Sequence, residues 1–352
     1  METKTPLLEV KDLKTYFFMD EGVSRAVDGV DFTINRGSMV GIVGESGCGK
    51  SVTAYSVLQL VGQPGKIVSG QALLHRMPRP HSDIKQAEVI DLLALSPKSK
   101  ELRMMRGGEI SMIFQEPMVS LSPLHTIGDQ ITENILLHRK VTKDEARDQA
   151  AKMLGRVGIP KPETRLESYP FQLSGGMRQR AMIALAMVCH PSLLIADEPT
   201  TALDVTTQAQ ILELMQELQQ DMGMAVMMIT HNLGVVAEMC EEVVVMYLGQ
   251  VAEQAPVDAV FYDPLHPYTQ ALLRSIPRLG ASKGNKLEPI EGTVPDPYNR
   301  PSGCAFHPRC ASFMPGKCDK IRPELYTMPD GRRVRCLLYA TDASATNEAK
   351  EG

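Results

Sequence analysis

The chain has 352 residues, of which 43% are apolar and 22% charged, and its 37 basic against 42 acidic side chains leave a formal net charge of −5. At about 100 to 200 residues per domain this length predicts roughly two domains with buried cores, and the composition excludes wholesale disorder. The charge balance carries no basic stripe for nucleic acid, no stretch reaches the roughly 18 apolar residues of a membrane span, and Met1-Glu2-Thr3-Lys4 lacks the apolar run of a secretion signal, so a soluble, cytoplasmic chain is expected.

The apolar run Met39-Val40-Gly41-Ile42-Val43 predicts a buried strand that feeds Gly44-Glu45-Ser46-Gly47-Cys48-Gly49-Lys50-Ser51, after which Val52 to Leu60 reads as a helix. Met77-Pro78-Arg79-Pro80-His81 reads as a solvated surface insertion, followed by helical spacing from Asp83 to Leu95. Residues near 116–172 form a helical insertion, in which Thr142-Lys143-Asp144-Glu145 resembles a capping box opening a helix to about Val157, ended by Gly158 and Pro160. Leu193 to Ala196 and Val226 to Ile229 predict two more buried strands. Between them lies an amphipathic helix with Ile211, Leu214, Met215 and Leu218 on its apolar face. Strands alternating with helices predict an α/β, mostly parallel sheet whose ligand sits beyond the carboxyl ends of the strands. After about Pro256 the chain turns proline-rich and loop-rich, and residues 340–352 are expected to fray.

Gly44-x4-Gly49-Lys50-Ser51 is a phosphate-loop pattern. Glycines let successive N–H groups wrap phosphates, Lys50 neutralises the outer ones, and Ser51 reaches a magnesium ion. Asp197, at the end of the strand Leu193 to Ala196, would hold the same metal, often through water. By strand alternation Glu198 points elsewhere, where a carboxylate can polarise an attacking water. The methionines, Met182, Met187, Met227 and Met228 among them, fill core space, and Cys189 and Cys240 adjoin apolar stretches and should be buried.

Leu173-Ser174-Gly175-Gly176-Met177-Arg178-Gln179-Arg180 resembles the signature of the ATP-binding cassette (ABC) ATPases. Gln115 in Ile113-Phe114-Gln115-Glu116-Pro117, Ala202-Leu203-Asp204 and His231 in Ile229-Thr230-His231-Asn232 are similar to that family's Q-loop, D-loop and switch histidine, in the family's order. The resemblance covers about residues 7–340. It implies a P-loop ABC ATPase fold with a mostly parallel sheet core, an N-terminal antiparallel β subdomain, an inserted helical subdomain at about 116–180 and a loop-rich, metal-binding C-terminal extension. Residues 1–255 would form the nucleotide-binding domain and 256–352 the extension. Glu116-Pro117-Met118-x-Ser120-Leu121-x-Pro123, Ser168-Tyr169-Pro170-x-Gln172 and Asp263-Pro264-x-His266-Pro267-Tyr268-Thr269 are similar to the ATPase subunits of bacterial dipeptide and oligopeptide importers, a group that includes nickel and oligosaccharide importers.

The resemblance assigns roles residue by residue. Glu198, His231 and Gln115 would be catalytic, with His231 reading the outer phosphate. Gly44 to Val52 and Asp197 would bind nucleotide, and Ser51, Gln115 and Asp197 would bind Mg2+. Ser174, Gly175, Gly176, Gln179 and Asp204 would face ATP on a partner subunit, the first three as a helix-terminal anion site. Phe17 is the choice for stacking on adenine, with Tyr16 as the alternative. Lys50 and a helix N-terminus beside Cys48 should favour its thiolate, so alkylation there should block ATP binding.

The remaining constellation, Cys304-x5-Cys310-x7-Cys318-x17-Cys336, lacks the paired Cys-x2-Cys knuckles of common zinc folds. It is similar to tail cysteines of peptide-importer ATPases that carry a [4Fe-4S] cluster, with Zn2+ the alternative. The expected partners are a second, homologous ATPase in a heterodimer, two membrane permeases and an extracytoplasmic binding protein, with no nucleic acid. The expected location is the cytoplasmic face of the bacterial inner membrane, held peripherally. A soluble cassette ATPase working on DNA or ribosomes is the rival, disfavoured by a single cassette without a long heptad insertion.

Overall fold

A computed structural model describes residues 5–78, 84–115, 120–201, 203–275 and 290–340. In chain order these form β1 (Pro6–Met19), β2 (Gly22–Asn35), β3 (Met39–Val43), α1 (Lys50–Val57), β4 (Gly65–Arg76), β5 (Glu88–Asp91), α2 (Lys100–Gly108), β6 (Ile110–Ile113), α3 (Ile127–His138), α4 (Lys143–Arg156), α5 (Pro162–Arg165) and α6 (Gly175–Met187). They continue with β7 (Leu193–Asp197), α7 (Val205–Met222), β8 (Ala225–Ile229), α8 (Leu233–Met239), β9 (Glu242–Tyr247), β10 (Gln250–Pro256), α9 (Val257–Tyr262), α10 (Pro267–Arg274), β11 (Tyr326–Thr327) and β12 (Arg333–Val334). Among the described residues no helix is long and apolar enough to cross a membrane.

The chain divides into two compact units, the first made of Met1–Leu8, Thr33–Met39 and Leu73–Ile229 and the second of the remaining segments. In the first unit β6, β7 and β8 pair in parallel, Ile110 opposite Leu193 and Leu193 opposite Ala225. Every residue of β7 and β8 is buried, which is why both read as unbroken apolar runs. The predicted capping box opens α4, since Thr142 Oγ1 accepts from the Glu145 N–H and the Glu145 carboxylate accepts from the Thr142 N–H. As expected, α7 buries Ile211, Leu214, Met215 and Leu218, and it ends on Gly223 in the left-handed conformation at φ 61°.

One expected helix is corrected. From Asp83 to Leu95 the spacing suggested helix, but residues 88–91 form β5, antiparallel to β4 with Leu73 opposite Asp91, and a single 3-10 turn spans Leu92–Ala94. Cross-strand partners outweigh local spacing here, because Arg76 pairs with both Glu88 and Glu109. Arg79, Pro80, His81 and Asp83 lie outside the described residues, as do Glu116 to Val119, Ala202 and residues 341–352.

In the second unit β3 pairs in parallel with β9, and β10 returns antiparallel to β9. The loop-rich appendage contributes to this sheet, with β12 antiparallel on β10 and β11 on β12. Glu253, fully buried on β10, accepts from the N–H groups of Leu265 and His266 at 2.9 Å each, and burial pushes its carboxyl up. His266 Nδ1 then accepts from the Tyr268 N–H at 2.9 Å and caps α10. The motif His266-Pro267-Tyr268-Thr269 is thus a structural one: cap, first-turn proline and buried ring.

Burial pushes the His266 imidazole down to about 4, below the usual histidine value, so the folded chain keeps it neutral. Between these two values the unfolded chain binds the proton and the folded chain does not, so stability falls as pH drops through this window. From pH 7 to pH 5 the expected loss from His266 is about 2 kcal/mol. Urea melts at both pH values should show this extra loss in the native chain and not in His266→Asn, whose cap does not titrate. Equal pH slopes would refute it.

Candidate nucleotide site

The candidate residues fall in two groups, one in each unit. In the second unit the glycine loop follows β3 and opens α1. Gly44 has φ 149°, and a Cβ there would lie 2.2 Å from the Met246 carbonyl oxygen; Gly49 has φ 102°, and its Cβ would lie 2.2 Å from the Ala26 oxygen. Only glycine fits at either position. Gly47, at φ 77°, has nothing within 4 Å of where its Cβ would be, so the loop is open there. Lys50 folds back over the loop and donates from Nζ to the carbonyls of Gly44 at 2.8 Å and Glu45 at 3.0 Å. Ser51 and Val52 lie half-buried in the first turn of α1.

The thiolate expected at Cys48 is corrected. Its sulfur is 3.8 Å from Lys50 Nζ, but the side chain is buried and burial pushes the thiol up, outweighing the ammonium. Cys189 and Cys240 are buried as expected, with thiols pushed up by burial to about 11 and about 12.

Of the two aromatic candidates, Phe17 is half-buried beside Gly65, and Tyr16 is tied into a charged network. The Tyr16 hydroxyl donates to Asp28 at 2.8 Å, and the Arg25 guanidinium lies 5.7 Å from its ring centroid. Burial alone would push the Asp28 carboxyl up. The Tyr16 hydroxyl and the guanidinium groups of Arg300 and Arg322, at 2.5 and 2.8 Å, reverse this and hold it below the usual aspartate range. A cavity of about 490 Å³ lies beside this network, lined by Arg25, Gln250, Tyr298, Arg300 and Arg322. His231, also of this unit, is exposed one residue beyond Thr230, whose N–H donates to the Ile42 carbonyl on β3 at 3.2 Å.

In the first unit Asp197 ends β7 fully buried. Glu198 leaves the strand in the left-handed region at φ 47°, uncommon for a residue with a side chain and frequent where function fixes the backbone. Its N–H donates to Ile229 at 2.9 Å, while its Oε2 accepts from Gln115 Nε2 at 3.2 Å and from Thr201 Oγ1 at 2.8 Å. The structure therefore joins Gln115 and Glu198, which lie 83 residues apart in the chain.

Ser174 caps α6, its Oγ accepting from the Met177 N–H at 3.3 Å, and Ser174 and Gly175 are exposed. Gly175 has nothing within 4 Å of a Cβ position, and Gly176 packs against Thr207. Asp204 caps α7 through the hydroxyl and N–H of Thr207, which hold its carboxyl low. Gln179 departs from the expected outward role: it is 2% exposed and donates to the Pro199 carbonyl, bracing the turn after Glu198.

The Cys304 N–H donates to the Cys318 carbonyl at 2.8 Å, and the sulfurs of Cys304, Cys310 and Cys318 act electrostatically on Cys336. Among the described residues no three His, Cys, Asp or Glu side chains are placed together to hold a metal ion. Cys336 sits as a small apolar group with Leu265 and Val334, and burial first, then the neighbouring thiols, push it up to about 12.

Two residues escaped the reading of the sequence. Arg309 forms a bidentate pair with Glu45, and Tyr268 Oη accepts from the Glu45 N–H at 2.9 Å. Tyr268 lies in a motif noted for its resemblance alone; Arg309 carried no signal beyond lying between Cys304 and Cys318.

Residues 27–201 match the ABC transporter family model, and residues 252–318 match the oligopeptide/dipeptide transporter C-terminal region. The chain is 50% identical over 339 residues to the oligopeptide transport ATP-binding protein AppD of Bacillus subtilis, covering 96% of this chain and 98% of that one. It is 45% identical over 337 residues to the dipeptide transport ATP-binding protein DppD of Escherichia coli, again covering 96% and 98%. Among solved structures, the dimeric, post-hydrolysis state of the ATP-binding cassette MJ0796 bound to ADP and Pi is similar with a TM-score of 0.60 and 26% identity, covering 71% of this chain and 99% of that one. With half of its residues shared with an ATP-binding transport protein over nearly the whole length of both, this chain belongs to the ATP-hydrolysing proteins of the ABC transporter family, in the branch marked by the oligopeptide/dipeptide transporter C-terminal region.

Proposed function

We propose that the chain is the ATPase subunit of a bacterial peptide importer, bound peripherally to the cytoplasmic face of the membrane. The observation that carries hydrolysis is the Glu198 carboxylate, held by Gln115 and Thr201 on a left-handed backbone directly after the buried acid Asp197. That arrangement suits a general base for an attacking water. Peptide cargo is carried by the names of the relatives AppD and DppD.

The family motifs assign the parts within a nucleotide-binding domain of residues 1–255, followed by the extension 256–352. The cradle from Gly44 to Val52 would bind the phosphates, with Lys50 on the outer ones, and Phe17 or Tyr16 would stack on adenine. His231 would read the outer phosphate. Ser51, Gln115 and Asp197 offer the hard oxygen donors that suit Mg2+, which when bound neutralises phosphate charge. Ser174, Gly175, Gly176 and Asp204 would face the nucleotide of a homologous second ATPase in a heterodimer.

Two permeases and an extracytoplasmic binding protein complete the complex. Docking to permeases is supported by the exposed apolar side chains Phe114, Leu124 and Leu137, and by a cavity of about 300 Å³ lined by Asp129, Leu136, Leu137 and Arg147. Reconstitution with the permeases tests this reading: peptide-stimulated ATPase activity is expected. Stimulation only by nickel or an oligosaccharide would reassign the cargo, and failure to bind permease-containing membranes would overturn the importer reading.

For the four tail cysteines Cys304, Cys310, Cys318 and Cys336 the finer proposal is a [4Fe-4S] cluster, with Zn2+ as the alternative. It is supported by the family resemblance. Iron, sulfide and zinc analysis of anaerobically purified protein decides it. About four irons and four sulfides support the cluster, one zinc supports the alternative, and neither removes both.

A further inference from the structure

We propose that Arg309 is a positioning residue of the nucleotide site: by holding the Glu45 carboxylate it withdraws a negative charge from the phosphate loop, so that the C-terminal segment sets the loop's affinity for a triphosphate. The proposal rests on the reading that this loop binds ATP.

Between Gly44 and Ser51 the loop has one acid, Glu45, and one base, Lys50. A carboxylate there opposes the charge the loop must accept, and the fold answers it from far along the chain. Arg309 Nη1 lies 2.8 Å from Glu45 Oε2 and Nη2 lies 3.1 Å from Oε1, the two-pronged geometry that best suits a guanidinium and a carboxylate.

The pair is shielded from water, the Arg309 side chain being 4% exposed and that of Glu45 24%, so solvent screens it less than a surface pair. The guanidinium is itself fixed, since Nε donates to the Glu291 carbonyl at 3.0 Å and the group lies 5.9 Å from the Tyr247 ring centroid.

The backbone of the same loop residue is held as well. Tyr268 Oη accepts from the Glu45 N–H, and the Tyr268 ring packs with Tyr247 and Phe306 at centroid distances of 4.7 and 5.4 Å. Residues after 260 thus hold Glu45 by main chain and side chain together. Packing alone would require only that the segment stay folded. Placing the guanidinium on the loop's one acid makes a further demand, that removing the cation exposes the triphosphate to an unpaired carboxylate.

Calorimetric titration of the full-length chain with MgATP and MgADP at low salt tests this. Arg309→Gln should weaken MgATP binding about 10-fold, and MgADP less, because the charge facing Glu45 is smaller. Arg309→Lys keeps the charge and should lose about 2- to 3-fold. Adding Glu45→Gln to Arg309→Gln should return the affinity to within about 3-fold of the native chain, with Glu45→Gln alone closing the cycle. Unchanged affinity in Arg309→Gln would overturn the proposal, and so would a double variant as weak as Arg309→Gln, since lost packing is not rescued by removing a charge. A native chain that does not bind MgATP would instead remove the nucleotide reading on which the proposal rests.

Discussion

Replacing Glu198 by glutamine should lower the turnover number for ATP by about 10²- to 10⁴-fold while leaving ATP binding intact. The substitution is nearly isosteric. The left-handed backbone at φ 47° and the N–H bond to Ile229 do not depend on the carboxylate, so the loop should keep its path. A glutamine oxygen can still accept from Gln115 or Thr201, which hold the native carboxylate at 3.2 and 2.8 Å. What is lost is the negative charge and the proton acceptor that turn a bound water into a nucleophile. With hydrolysis blocked and binding retained, the variant should accumulate with ATP in a closed dimer. Phosphate release and size-exclusion chromatography with ATP measure the two effects, and native turnover in the variant would end the assignment of Glu198 as the base.

Gly49→Ala should have the next largest effect, a loss of ATP affinity of more than about 100-fold. A side chain at φ 102° is strained by roughly 1–3 kcal/mol on any view of backbone sterics. Space is the greater obstacle, because the new Cβ would sit 2.2 Å from the backbone oxygen of Ala26, which cannot swing aside as a flexible side chain would. Ala26 belongs to β2, so the loop must yield instead, and the N–H groups that line the cradle turn away from the phosphates. The fold should survive with a lowered melting temperature, since β3 and α1 lie on either side of the strained residue. Titration with MgATP and a thermal melt separate the two effects, and unimpaired binding would show that the loop tolerates a side chain there.

Local pattern in this protein was legible in the sequence. The phosphate loop needs residues within eight positions of each other, the Thr142 to Glu145 box needs four, and the apolar face of α7 repeats within a few turns, so pattern and spacing carried each of them. The buried strands β3, β7 and β8 were equally plain, because parallel strands covered on both faces must be apolar throughout.

Tertiary structure decided whatever depends on a partner far along the chain. It paired residues 88–91 with β4 against their helical spacing, turned Gln179 inward to Pro199, and buried Cys48 so that desolvation outweighs Lys50. It also brought Gln115 to Glu198 across 83 residues and Arg309 to Glu45 across 264. Short-range pattern contains the residue types that chemistry requires, but burial and charge pairing are properties of the space around a side chain. Only the folded chain brings into that space the groups that set a thiol's proton or cancel a carboxylate.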